Sequence, residues 1–145
     1  MADNNIIEHL KRVLADNYAL YLKTQNYHWN VTGTSFRTLH LLFEEQYTDL
    51  FAANDGIAER IRTLGSKVPA TFSVFASATN IEDGNENTDA QTMVKELADD
   101  QAIILKSLTK ALHAAQETED EGTIDFLINR IGVHEKAAWM LRSSI

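Results

Sequence analysis

The chain has 145 residues, a formal net charge of −8, no cysteine, six glycines and one proline. The lack of cysteine excludes a disulfide scaffold, a zinc ribbon and an iron–sulfur cluster, and so few breakers argue against an all-β fold and for long helices. A chain this acidic does not read as a nucleic-acid binder, whose phosphate contacts need a basic face, and no stretch approaches the ~18 consecutive apolar residues of a membrane span.

The opening Met1-Ala2-Asp3-Asn4-Asn5 has none of the basic and apolar blocks of a signal peptide, so a cytoplasmic protein is expected. Residues 1–145 read as one domain. Gly33, the Gly65/Pro69 pair, Gly84 and Gly122 leave four long segments, about 4–31, 35–64, 88–117 and 121–143. The first carries Ile7, Leu10, Leu14, Tyr21 and His28 at helical steps. The second repeats Phe36, Phe43, Leu50, Ile57 and Leu64 every seven residues. The patch Phe72-Ser73-Val74-Phe75-Ala76 predicts a short extra helix in the long connection 65–87. Thr88-Asp89-Ala90-Gln91 has a capping-box pattern, with Thr88 as the predicted N-cap of the third helix. The fourth helix is marked by Ile124, Leu127, Ile131 and Leu141, with Gly122 closing the acidic run before it. Two helical hairpins joined by one long crossover predict an all-α, ferritin-like four-helix bundle.

Of the five histidines, His9, His113 and His134 have no constellation around them and read as surface or packing residues. His28 lies on the apolar stripe of the first helix. His40 begins a series with Glu44, Asp55 and Glu59. At ~100° per residue these four share an arc of about 100° beside the core stripe of the second helix. Acids on a helix flank are ordinarily just solvated, and spacing alone favours that reading. Two details weigh against it. Phe51 shares the face, which a purely solvated face would not favour. His40 with Glu59, and Glu44 with Asp55, have residue numbers that both sum to 99. Two copies of this helix crossing antiparallel near residues 49–50 would oppose the two pairs. Within one chain, the 15 residues from His40 to Asp55 rise ~22 Å, beyond the reach of one ion. Either the residues are unrelated, or a two-fold axis builds the site between subunits. Two imidazoles and three carboxylates suit iron or manganese better than copper or a structural zinc. A Glu-x-x-His motif of the kind seen in di-iron bundles is absent, as is His-Glu-x-x-His.

The runs Tyr27-His28-Trp29-Asn30-Val31-Thr32-Gly33, Phe36-x-x-Leu39-His40-x-x-x-Glu44 and Asp55-Gly56-Ile57-Ala58-Glu59-Arg60, with Glu135-Lys136-Ala137-Ala138-Trp139-Met140-Leu141, resemble the Dps family of mini-ferritins over almost the whole chain. The resemblance implies a hollow homododecamer that oxidises Fe(II) with hydrogen peroxide or oxygen, stores ferric mineral and protects against oxidative damage. It implies a ferroxidase di-iron centre at a two-fold interface. His28, His40 and Glu44 would come from one subunit and Asp55 and Glu59 from its mate, with zinc and manganese as competitors for those ligands. It places Trp29 beside the centre, and acidic residues around the start of the last helix, here Asp120 and Asp125, in pores that admit iron.

Two departures qualify the resemblance. Glu44 stands where the family often has Asp, which keeps the charge and adds a methylene. The five residues before Ile6 contain no Lys or Arg, and the C-terminal Arg142-Ser143-Ser144-Ile145 has one cation. Binding to duplex DNA at neutral pH is therefore not expected, and neither is a membrane partner. The competing readings are a DNA-compacting assembly with a secondary metal site and a helical oligomer without metal.

Overall fold

The computed structural model describes residues 4–145; Met1–Asp3, part of the N-terminal segment read for its missing basic residues, lie outside the described residues. Five helices follow in order: α1 (Asn4–Asn30), α2 (Phe36–Thr63), α3 (Phe72–Ala78), α4 (Ala90–Glu117) and α5 (Glu121–Arg142). Among the described residues there is no strand. No helix there is long and apolar enough to cross a membrane.

Polar contacts between helices fix the topology. Tyr27 with Glu96, Lys23 with Asp100 and Asp16 with Ser107 have residue numbers that all sum to 123, so α1 and α4 run antiparallel in one register. His28 meets His40 while Asn17 donates to Leu50 O and Asn54 Oδ1, which makes α1 and α2 antiparallel. α2 and α4 are therefore parallel, and the chain must return the full length of the bundle between them. The 64–89 connection makes that return. Its anchor is Asp16, wholly buried, whose carboxyl oxygens accept from Thr79 Oγ1 (2.7 Å), the Asn80 amide (2.9 Å) and Ser107 Oγ (2.5 Å). α3 is held against α1 by Phe75, which stacks on Tyr18 with centroids 5.0 Å apart.

The core is the inward stripe of each helix: Leu10, Leu14 and Leu20, then Phe43, Leu50 and Ile57, then Leu97, Ile104 and Leu108, then Leu127 and Leu141. The heptad stripe holds in the middle of α2 and fails at its start, where Phe36 is 43% exposed. One helix end also differs from expectation. The N-cap of α4 is Asp89, not Thr88: its two carboxylate oxygens accept separately from the amide and the hydroxyl of Thr92. Gly122 follows the acidic run and lies inside α5, within the 121–143 segment expected, and a Cβ there would come within 2.9 Å of Arg60 Nη2. The turn between α4 and α5 is made by Glu119, held left-handed at φ 54°, with Asp120 N reaching back to Ala115 O.

Candidate metal centre

The short 31–35 turn sets the last turn of α1 against the first two turns of α2, so His28 and His40 meet across it. Their rings stack with centroids 3.8 Å apart and planes 13° from parallel. His28 Nδ1 lies 2.7 Å from the backbone oxygen of His40, and His40 Nδ1 lies 2.6 Å from the backbone oxygen of His28. A carbonyl oxygen only accepts, so both Nδ1 atoms must carry the proton. Each neutral ring then presents a bare Nε2 lone pair. That is the tautomer a metal-ligating histidine needs, and a backbone carbonyl is a usual partner for its other nitrogen.

Glu44, one turn beyond His40, completes a cluster: one ligand atom from each of His28, His40 and Glu44 lies within 4.8 Å of the others. It is the only such group of three among the described residues. His28 Nε2 and Glu44 Oε1 are 3.8 Å apart. That is too long for a hydrogen bond, yet it suits two donors that share an ion at ~2.0–2.2 Å from each. The imidazoles are walled in by Phe36, stacked 4.9 Å from His40, and Tyr47, edge-on 5.1 Å from His28. His28 is buried, His40 half-buried and Glu44 exposed, so the cluster is fixed at its base and open towards the surface. Three donors leave coordination positions to fill from outside. The donor set, two bare imidazole nitrogens and a carboxylate, fits a borderline or hard divalent ion such as Fe(II).

The other sequence-predicted residues stand elsewhere in the single chain. Asp55 and Glu59 are exposed on α2 and do not join the cluster. Glu44 to Asp55 alone is a rise of ~16 Å. Trp29 is 63% exposed and lines a surface cavity with Leu22 and Phe72. Asp125 is exposed. Asp120 already has partners: it is the N-cap of α5, accepting from the Thr123 amide and hydroxyl and from Arg60 Nη2. Partial burial works against its charge, but the Thr123 bonds and the Arg60 guanidinium outweigh it and hold the carboxyl below the usual range.

Sequence reading did not find what holds the two imidazoles. The pairing of each Nδ1 with the opposite backbone is a property of the hairpin, and its only trace in sequence is the twelve-residue step from His28 to His40. His134, read as a surface or packing residue, is a packing residue of an unusual kind. It is 2% exposed and sits between Gln101 and Arg130, and Arg130 is paired to Asp49 through both terminal guanidinium nitrogens.

The chain compares closely with known proteins. The ferritin-like domain family matches residues 7–145. A low temperature-induced protein of Nostoc is 41% identical over 142 residues, covering 97% of this chain and 79% of the relative. DNA protection during starvation protein 2 of Bacillus anthracis is 38% identical over 97% of both chains. Among solved structures, a Dps protein from Bacillus brevis superposes with a TM-score of 0.93 at 33% identity, covering 99% of this chain and 98% of that one. The Dps protein of Vibrio cholerae, described as a member of the ferritin-like diiron-carboxylate proteins, gives 0.92 at 36% identity over 97% and 88%. With the bundle, the hairpin histidines and these likenesses together, the chain belongs to the ferritin-like family, as a Dps-type member of it.

Proposed function

We propose that this protein is a ferroxidase and iron store: it oxidises Fe(II) at a centre shared between two subunits and holds the ferric product inside a hollow homododecamer in the cytoplasm, protecting against oxidative damage. The observation that carries the reading is the His28–His40–Glu44 cluster, a metal-ready set of donors that is incomplete in one chain. Asp55 and Glu59 of a two-fold mate would complete it, a pairing with which the sum-to-99 symmetry of α2 is consistent. Exposed apolar side chains are in keeping with such a mate: Leu22, Trp29 and Phe72, all at least half exposed, line one surface cavity, and Phe51, 63% exposed, lies on α2 between Glu44 and Asp55.

Iron is the substrate. Two Fe(II) supply two electrons to one hydrogen peroxide, which takes up two protons and leaves as two waters, so no hydroxyl radical need be released. The protein's part is to bind the ions together in that pair. His28 and His40 hold fixed lone pairs towards them, and the carboxylates of Glu44, Asp55 and Glu59 favour the higher charge of Fe(III). Zinc and manganese would compete for the same donors. The relatives named for DNA protection fit a protective role exercised through removal of iron and peroxide.

Mixed assemblies test the shared site. His40→Ala and Glu59→Ala homo-oligomers should each lose fast peroxide-dependent Fe(II) oxidation while keeping their helical circular dichroism. Co-expressed at equal amounts, the two should recover activity, because each mixed two-fold pair regains one intact site of two. Random pairing predicts about a quarter of the wild-type rate. No recovery in verified mixed assemblies would place all the ligands in one chain and sink the proposal.

A further inference from the structure

A second cluster of side chains lies away from the candidate metal centre, in the groove between α1 and α4 where the crossover returns. It is a cleft of about 590 Å³ lined by His9, Arg12, Asn80, Lys106, Ser107 and Lys110, together with Ile103. Three of the chain's 13 lysines and arginines converge there, and no carboxylate lines the cleft. The convergence follows from the register: Arg12 on α1 comes beside Lys110 on α4, as the neighbouring pair Asp16 and Ser107 fixes. Lys106 and Lys110 are one helical turn apart and share a face.

These cations are uncommitted. Among the described residues, Arg12, Lys106 and Lys110 form no ion pair, whereas Lys11, Lys23, Arg60 and Arg130 each do. Asp16, beneath the floor of the cleft, is wholly buried, and its oxygens are already taken by Thr79, the Asn80 amide and Ser107. All three are exposed, and they line one cleft in a chain that carries −8 overall.

We infer that this cleft is a binding site for a compact phosphate oxyanion carrying two or three phosphoryl groups, held by Arg12, Lys106 and Lys110 with His9 offering a ring N–H. Charge and size choose this ligand. At physiological salt a charge is felt over ~8 Å, so a small anion inside the cleft meets the three cations and little of the acidic surface. A duplex spans far beyond that range and meets the −8 chain along its length. Guanidinium and ammonium donors on two facing helices match oxygens on adjacent phosphoryl groups better than a single monoanion.

The test is calorimetric titration of metal-free, full-length protein with inorganic phosphate, pyrophosphate and tripolyphosphate, in chelator and low monovalent salt. Tripolyphosphate should bind at one site per chain, at least tenfold tighter than inorganic phosphate, and weaken as salt rises. Lys106→Gln/Lys110→Gln should weaken it at least tenfold with unchanged helicity and elution volume; Lys136→Gln, a cation outside the cleft, should not. No saturable binding in the millimolar range, or binding that the double variant leaves unchanged, would overturn the site. If instead a 20-base-pair duplex is retained at ~150 mM salt and released by the double variant, the cleft reads nucleic acid and the compact-anion assignment is wrong.

Discussion

His134 offers a measurement whose size follows from its surroundings. The ring is almost wholly buried between Gln101 on α4 and Arg130 one turn before it on α5. Arg130 can only donate, so His134 Nε2 accepts and Nδ1–H donates to Gln101 Oε1 at 2.7 Å; the ring is locked in one neutral tautomer. Burial first, and then the Arg130 guanidinium 3.1 Å away, lower its pKa to about 3, with Asp49 opposing weakly from behind Arg130. Unfolded, the ring titrates near 6.5. Between these values the unfolded chain binds a proton that the native chain does not, so native stability falls as pH falls below about 6.5 and keeps falling towards 3. The slope approaches ~1.4 kcal/mol per pH unit, and the loss from pH 7 to pH 5 is about 2 kcal/mol per chain. His134→Gln isolates this group, because a glutamine can still accept from Arg130 and donate to Gln101 but cannot titrate. It should be less stable than the wild type at pH 7 by ~1–2 kcal/mol through imperfect hydrogen bonding. By pH 5 that gap should close or reverse. Guanidinium unfolding of both proteins at matched subunit concentration, at pH 7, 6 and 5 with chelator, reads the difference. A gap that stays constant over this range would refute the buried neutral ring.

Other consequences are simpler to check. Asp16→Asn replaces one acceptor oxygen by a donor and strands Ser107 or Thr79; it should cost ~1–3 kcal/mol in the denaturation midpoint and free the 64–89 crossover to proteolysis. Glu119→Gly relieves a side chain held at φ 54° and should raise stability by up to ~1 kcal/mol, read as a higher melting temperature. Asp120→Ala should lower stability by ~0.5–2 kcal/mol through loss of the α5 cap, whereas Asp125→Ala should not; if the pair also admits iron, Asp125→Ala alone will slow uptake of iron into the cage at unchanged melting temperature.

The bundle was legible because four long helices are specified locally. Stripes such as Leu97, Ile104 and Leu108 repeat at helical steps, and glycine or acidic turns separate them, so pattern alone gives the elements and the one long crossover. The turn details were not legible. Thr88 and Asp89 are both good caps, and which one is used depends on where the incoming 64–89 chain leaves the backbone. Gly122 reads as punctuation, but its lack of a side chain makes room for Arg60, which arrives from α2, far earlier in the chain. His134 had no visible partner because Gln101 and Asp49 lie 33 and 85 residues away and meet it only through packing.

The candidate centre divides along the same line. His28 and His40 could be singled out because one lies on an apolar stripe and the other heads an acidic face, yet their fitness as candidate ligands depends on the proton each places on the opposite backbone. That arrangement is mutual. Removing His40 takes away one donor and also the ring stacked 3.8 Å against His28, though the His40 backbone oxygen that fixes the His28 tautomer would remain. A substitution at either histidine therefore acts on both donors, while one at Asp55 or Glu59 touches neither. Losses from His28→Ala and His40→Ala should overlap rather than add, and each should add to a loss at Glu59 only if the two half-sites hold the ion independently. Fe(II) affinity measured anaerobically for the single and paired variants distinguishes these cases, and strict additivity between the two histidines would show that their stacking plays no part in binding.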